Sequence, residues 1–123
     1  MPLILCNTRA GMDAALKAKV ASAITEVVHA TIKSDYYHIS VIFNDLPSES
    51  SYVAGKPGRD TIIVCNIRLG RSEGAIMSMS QRISDTWHEL TGQNEDEIEV
   101  TVQEFIARYV VRGGKPMPAP PYA

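Results

Sequence analysis

A proline stands directly after the first methionine, and two arginines spaced by three, Arg68 and Arg71, fall in the segment Ile67-Arg68-Leu69-Gly70-Arg71-Ser72. Freed by removal of Met1, the ring nitrogen of Pro2 is a secondary amine, and an ordinary α-amino group has a pKa of ~7.7–8.0. Burial and neighbouring cations disfavour the protonated form and lower that value. A poised amine of this kind can take a proton beside a carbonyl or from an enol oxygen and return it elsewhere, which makes Pro2 the candidate catalytic residue. The two arginines lie where a strand is expected to meet a helix. Guanidinium forks and the free amides of a helix start both attract carboxylates, and they also stabilise charge developing on an enolate oxygen. A small carboxylate is therefore a candidate partner, although two arginines in a turn are otherwise usually solvated surface charge.

The elements that must position these groups are organised by a repeat. Leu3-Ile4-Leu5-Cys6-Asn7-Thr8-Arg9-Ala10-Gly11 aligns with Ile62-Ile63-Val64-Cys65-Asn66-Ile67-Arg68-Leu69-Gly70 at one offset of 59 residues, and the same offset pairs Ile24 with Ile83, His29 with His88, Ile39 with Ile98 and Val41 with Val100. Each half opens with a short apolar run of strand length, followed by a glycine-containing turn. Asp13 and Ser72 then stand as N-caps. Helical spacing puts Leu16, Val20, Ala23, Ile24, Val27 and Thr31 on one face, and Ala75, Met79, Ile83, Thr86 and Leu90 on its counterpart. Strands over His38 to Phe43 and Glu97 to Phe105 close the two units.

A strand, a crossover helix and a parallel strand make a βαβ unit. The expected fold is α+β: two tandem βαβ units forming a mostly four-stranded sheet with two helices on one face. Unit one spans about 2–46, a Ser/Gly/Pro-rich connecting loop or hairpin about 47–59, unit two about 60–106, and an extended Pro-rich tail about 113–123. The repeat separates the chemical groups. Arg9 corresponds to Arg68, but Met12 corresponds to Arg71 and Thr61 to Pro2, so the amine belongs to one half and the arginine pair to the other.

Length and composition bound the rest. A chain of 123 residues with 45% apolar residues suits one compact domain. A net charge of −2 supplies no field for nucleic acid or an anionic membrane. The start lacks a signal-peptide pattern and no run is long enough to span a membrane, so a soluble cytoplasmic protein is expected. Cys6 and Cys65 sit in apolar runs and read as inert core thiols. Neither metal-ligand spacing nor a phosphate-binding loop is present, so no metal or cofactor is expected.

Pro2, the tandem units and the Ile67–Ser72 segment together resemble the tautomerase superfamily over nearly the whole chain. That resemblance implies a proline exposed by methionine removal, cofactor-free proton transfer and assembly as a homotrimer. Ala23-Ile24-Thr25, Val41-Ile42-Phe43 with Pro47, Asp60-Thr61-Ile62 and the arginine pair resemble the cis-3-chloroacrylic acid dehalogenase group. Gly70-Arg71-Ser72 also resembles the loop of 4-oxalocrotonate tautomerase that carries a substrate-binding arginine.

Other positions are read against this likeness. Tyr52 stands where the superfamily often has a hairpin aromatic, and it either closes the pocket or packs as a loop aromatic. Direct counting from Pro2 places His29 at the dehalogenase histidine, whereas counting back from Ala23-Ile24-Thr25 places Val28 there; helical phase puts His29 opposite the apolar face, so a surface or subunit-contact role is preferred. Lys33, which resembles a lysine near the substrate in macrophage migration inhibitory factor, is read as an exposed helix-end residue. Arg112 replaces the dehalogenases' water-activating glutamate and Thr101 their assisting tyrosine; Arg112 is either a third carboxylate contact or a surface arginine. Ser40 replaces the strand arginine of 4-oxalocrotonate tautomerase.

These departures favour a keto-enol tautomerase acting on a 2-oxo acid or related unsaturated carboxylate. A cis-3-haloacrylate dehalogenase, hydratase or decarboxylase and a non-catalytic trimeric binding protein stand as alternatives.

Overall fold

A computed structural model describes residues 1–121. Strand β1 (Leu3–Thr8) leads through a turn to helix α1 (Ala14–Ile32) and strand β2 (Ser40–Asp45), followed by a small hairpin of β3 (Tyr52–Val53) and β4 (Lys56–Pro57). The pattern then recurs as β5 (Thr61–Arg68), α2 (Glu73–Thr91), β6 (Ile98–Phe105) and a hairpin of β7 (Val111–Arg112) and β8 (Lys115–Pro116). The sheet order is β2-β1-β5-β6, with each βαβ pair parallel and the two central strands antiparallel. This is the α+β architecture expected from the repeat.

Both helices start where their caps predict: the Asp13 carboxylate accepts from the Leu16 amide and the Ser72 hydroxyl from the Ala75 amide. Their apolar stripes meet the inward residues of β1 and β5 in one core, where Ile4, Ile24, Val28, Ile63, Ile67, Met79, Ile83 and Trp87 are fully buried. Each such side chain contributes about 1.5–3 kcal/mol on leaving water. Cys6 and Cys65 lie in the same core, where burial pushes both thiols up to about 12. They belong to the packing. Among the described residues no helix is long and apolar enough to cross a membrane.

Two local expectations change. The strand expected from His38 begins at Ser40, because the Asp35 carboxylate accepts from the Tyr37 amide and closes a 3-10 turn over Tyr36–His38. The extended tail begins later than Gly113. Gly113 and Gly114, both at positive φ, turn the chain so that β8 pairs with β7. The 59-residue offset runs through this hairpin, matching Gly114-Lys115-Pro116 to Gly55-Lys56-Pro57.

Candidate active site

The antiparallel register of the central strands sets the site. Leu3 lies opposite Asn66, so continuing the ladder by two residues brings position 1 alongside Arg68. Pro2 is buried, and its carbonyl accepts from the Ser40 amide at 3.0 Å, fixing the entry of β1 against β2. The amino terminus, carried by Met1, is consequently held below its ordinary 8.0, first by burial and then by Arg112, Arg68 and Arg71. Three guanidinium groups thus act on the terminal amine.

Arg68 and Arg71 are 4% and 8% exposed, which is unusual for arginine without a carboxylate partner. Gly70, at φ +134°, turns the chain between them, a conformation that favours glycine. The turn lets Arg71 Nη1 donate to the Arg68 carbonyl at 3.0 Å, while Arg68 Nη1 donates to the Pro118 carbonyl at 2.5 Å. The Nε of each arginine is buried without a protein partner. Burial, then the Arg68 charge, pulls Arg71 down to about 10, with Glu104 of β6 opposing; burial also lowers Arg68. Two desolvated cations with spare donors form a ready receptor for an anion.

A cavity of about 640 Å³ opens beside Arg68. His29, Ser34 and Tyr36 form one side of it, and Met117, Pro118 and Pro121 form another. His29 is stacked on Tyr36 with ring centroids 3.9 Å apart, and its Nδ1 lies 2.8 Å from the Ser34 carbonyl. A carbonyl can only accept, so Nδ1 carries the hydrogen of this contact. The Ser34 hydroxyl and Asn66 Oδ1 are likewise buried without a partner.

Of the residues singled out from sequence, the structure gathers the amino terminus, Arg68, Arg71 and Arg112 electrostatically, and His29 shares the cavity with Arg68. Val28, the competing position for the histidine, is fully buried in the core. Arg112 is exposed on the second hairpin and donates to the Tyr37 carbonyl at 3.2 Å. Tyr52 stands 58% exposed on the first hairpin and does not line the cavity. Sequence reasoning set Lys33 aside and passed over Ser34, His38, Met117 and Pro118, all of which line it. The left-handed backbone at Lys33, φ 56°, ends α1 and turns this segment towards the cavity.

The equivalent place in the second unit is built differently. Thr61, the repeat mate of Pro2, is fully buried, with its hydroxyl 2.9 Å from that of Thr8 and donating to Gln93 Oε1 at 2.7 Å. Trp87 Nε1 donates to the same oxygen, and Gln93 Nε2 donates to the Arg59 carbonyl. Those polar groups are satisfied internally, whereas Arg68, Arg71 and Ser34 are not. Among the described residues no group of three or more metal-ligating side chains converges.

The sequence model of the family described as Tautomerase enzyme matches residues 2–60, the first repeat. Among curated protein sequences there is no match. Among solved structures, the chain is similar to N1, a member of the cis-3-chloroacrylic acid dehalogenase family, with 25% identity, TM-score 0.92, and coverage of 98% of this chain and 86% of that one. A fused 4-OT wild-type asymmetric trimer shares the fold at 18% identity and TM-score 0.88, with 94% and 95% of the two chains covered. Pt0534 inactivated by 2-oxo-3-pentynoate shares it at 21% identity and TM-score 0.86, with 94% of each chain covered. The family model thus matches the first repeat with its hairpin, and over nearly its whole length the chain shares the fold of N1, of the cis-3-chloroacrylic acid dehalogenase family, and of fused 4-OT.

Proposed function

We propose that this protein is a cofactor-independent tautomerase that interconverts the enol and keto forms of a 2-oxo acid or a related unsaturated carboxylate. The observation that carries the reading is the placement of the amino terminus against Arg68, Arg71 and Arg112, with its proton affinity lowered. Removal of Met1 transfers the terminal amine to Pro2, one residue further into the buried start of β1. Arg68 and Arg71 bind the carboxylate through their guanidinium groups, whose Nε atoms have no protein partner. Neutral Pro2 takes the enol hydroxyl proton as the carbonyl forms, and the resulting ammonium gives a proton to C3. The cations neutralise charge on the oxygen between these two transfers.

A homotrimer belongs to this reading. The sheet face away from the helices carries Leu3, Leu5, Ile42, Ile62 and Val64, none of them fully buried, and Ile42 and Ile62 are 45% and 40% exposed. A face of this kind is suited to burial between copies, and the structurally similar fused 4-OT is a trimer.

Hydrolytic dehalogenation is a second reading, supported by the likeness to N1. It requires a base that prepares water for addition to the conjugated acid. Arg112 occupies the position of that base in the resemblance, and Asp35 is the one carboxylate among the described cavity-lining residues. The structure therefore supports proton transfer better than water addition.

Intact mass of the purified protein should show loss of Met1, and Pro2→Ala should reduce enol-to-keto turnover by about 10²–10⁴-fold, the usual scale of general acid–base catalysis. An unchanged Pro2→Ala rate eliminates the proposal. Halide release from 3-haloacrylates at a rate approaching tautomerisation reverses the order of the two readings.

A further inference from the structure

The arginine at the end of each repeat's first strand makes the same kind of contact. Arg9 Nη1 donates to the Gly58 carbonyl, and Arg68 Nη1 to the Pro118 carbonyl. At the 59-residue offset Gly58 matches Met117, so both arginines hold the stretch that follows their hairpin. The two stretches then differ. After Gly58 the chain enters central strand β5 at Thr61, whereas residues 118–121 enter no helix or strand. Pro118 and Pro121 are exposed, and Pro120 rests against Gly70, the turn between the two site arginines.

Arg68 therefore has two claimants. Its Nη1 is engaged by a neutral carbonyl, and a carboxylate is the stronger acceptor because the bond is charge-assisted at both ends. End-on bidentate binding of a carboxylate draws on Nη1 and Nη2 together, so it brings the carboxylate against the Pro118 carbonyl already seated on Nη1. The Met117 amide is anchored on the Val110 carbonyl at 2.8 Å, so movement can begin beyond it.

We propose that residues 118–121 form a releasable strap that competes with a substrate carboxylate for Arg68, making the site self-occluded until the carboxylate displaces the Pro118 carbonyl. This rests on the carboxylate reading of the site. The strap is fastened by one charge-assisted bond and one proline contact, and the prolines lower the entropy it gains on release.

The test uses the Ala119 amide, the only backbone N–H between residues 118 and 121, as an NMR probe in the full-length protein. Pyruvate is the carboxylate titrated. In the unliganded protein Ala119 should have a rigid order parameter, about 0.85, falling below about 0.6 at pyruvate saturation. Arg68→Gln should produce the mobile state without ligand. Because Arg68 is buried and its substitution can disturb folding, a second variant, Pro118→Gly with Pro120→Gly, leaves the arginines in place. It should bind pyruvate about fivefold more tightly, since each glycine makes the fastened strap entropically less favourable. Pyruvate binding with Ala119 still ordered, or unchanged affinity in the double variant, overturns the strap and leaves the carboxylate site standing. No pyruvate binding by either protein removes the carboxylate reading and the strap with it.

Discussion

Replacing Arg71 by methionine separates a substrate-binding arginine from a structural brace. Methionine keeps the apolar length of the side chain and removes the charge and donors. In the folded protein Arg71 is 8% exposed, is repelled by Arg68 and has its pKa drawn from 12.5 to about 10. Taken in full, that fall corresponds to roughly 3 kcal/mol against the charged form, and about half of it after allowance for solvent screening. Against this stands one hydrogen bond, Nη1 to the Arg68 carbonyl, contributing about 1 kcal/mol. The two nearly cancel, so Arg71→Met should leave unfolding stability unchanged or raise it by up to about 1 kcal/mol. Carboxylate binding should suffer much more. A hydrogen bond to a charged group contributes about 1.5–3 kcal/mol, so the KM for an enol acid should rise about 10- to 150-fold. Denaturant unfolding at fixed protein concentration gives the first quantity, and steady-state kinetics with competitive carboxylate inhibition gives the second. Loss of more than about 1 kcal/mol of stability together with an unchanged KM would refute the reasoning, because the arginine would then be bracing the turn.

Further outcomes follow from other parts of the structure. If the neutral terminal amine is the base, kcat/KM rises with pH through the amine's lowered pKa; Arg112→Gln removes its largest charge-based cause, so the midpoint of that limb should move to higher pH, while an unmoved midpoint disconnects Arg112 from the amine. Gly58→Ala places a Cβ 2.5 Å from Val53 Cγ2, and unfolding measurements should show a loss of about 1–3 kcal/mol. Cys6 and Cys65 are fully buried with thiols at about 12, so an aromatic disulfide reagent at neutral pH should label them only after denaturation; rapid labelling of the native protein would contradict their core placement.

The fold was legible because one offset carries local signals of two kinds. Core periodicity and caps recur together: Asp13 and Ser72 start the helices, and Val20 with Ile24 and Met79 with Ile83 face inward. The second hairpin is poorly legible although Gly114-Lys115-Pro116 repeats Gly55-Lys56-Pro57, because the prolines around it lack amide donors and locally favour extended chain. Trp87 escaped the helical count, yet it fills the core and ties to Gln93. The cavity was less legible still. His29 faces away from the core, and helical phase alone gives that face to solvent; only the left-handed end of α1, the 3-10 turn and residues 117–121 convert it into a wall. Such contacts join segments about ninety residues apart in sequence, and no local pattern encodes them.

The difference between the two halves supplies the last step. Duplication places an arginine at the end of β1 and another at the end of β5, each holding a carbonyl after its hairpin, so that contact belongs to the shared fold. Chemistry requires something the shared fold lacks. Around Thr61, at the start of β5, the side chains of Thr61, Thr8, Gln93 and Trp87 consume one another's hydrogen bonds, which stabilises the start of that strand and leaves no free base or donor there. At the matching position of the first unit stands a proline carrying no such side chain, and beside it the second unit's Arg68 and Arg71 keep Nε donors without a protein partner. Unmatched buried donors are destabilising on their own, and their retention in one half makes physical sense where a ligand completes them. On this argument Thr61→Ala should lower stability without altering enol-acid turnover, because its network is structural. A change in turnover with stability preserved would place the second half-site within the reaction.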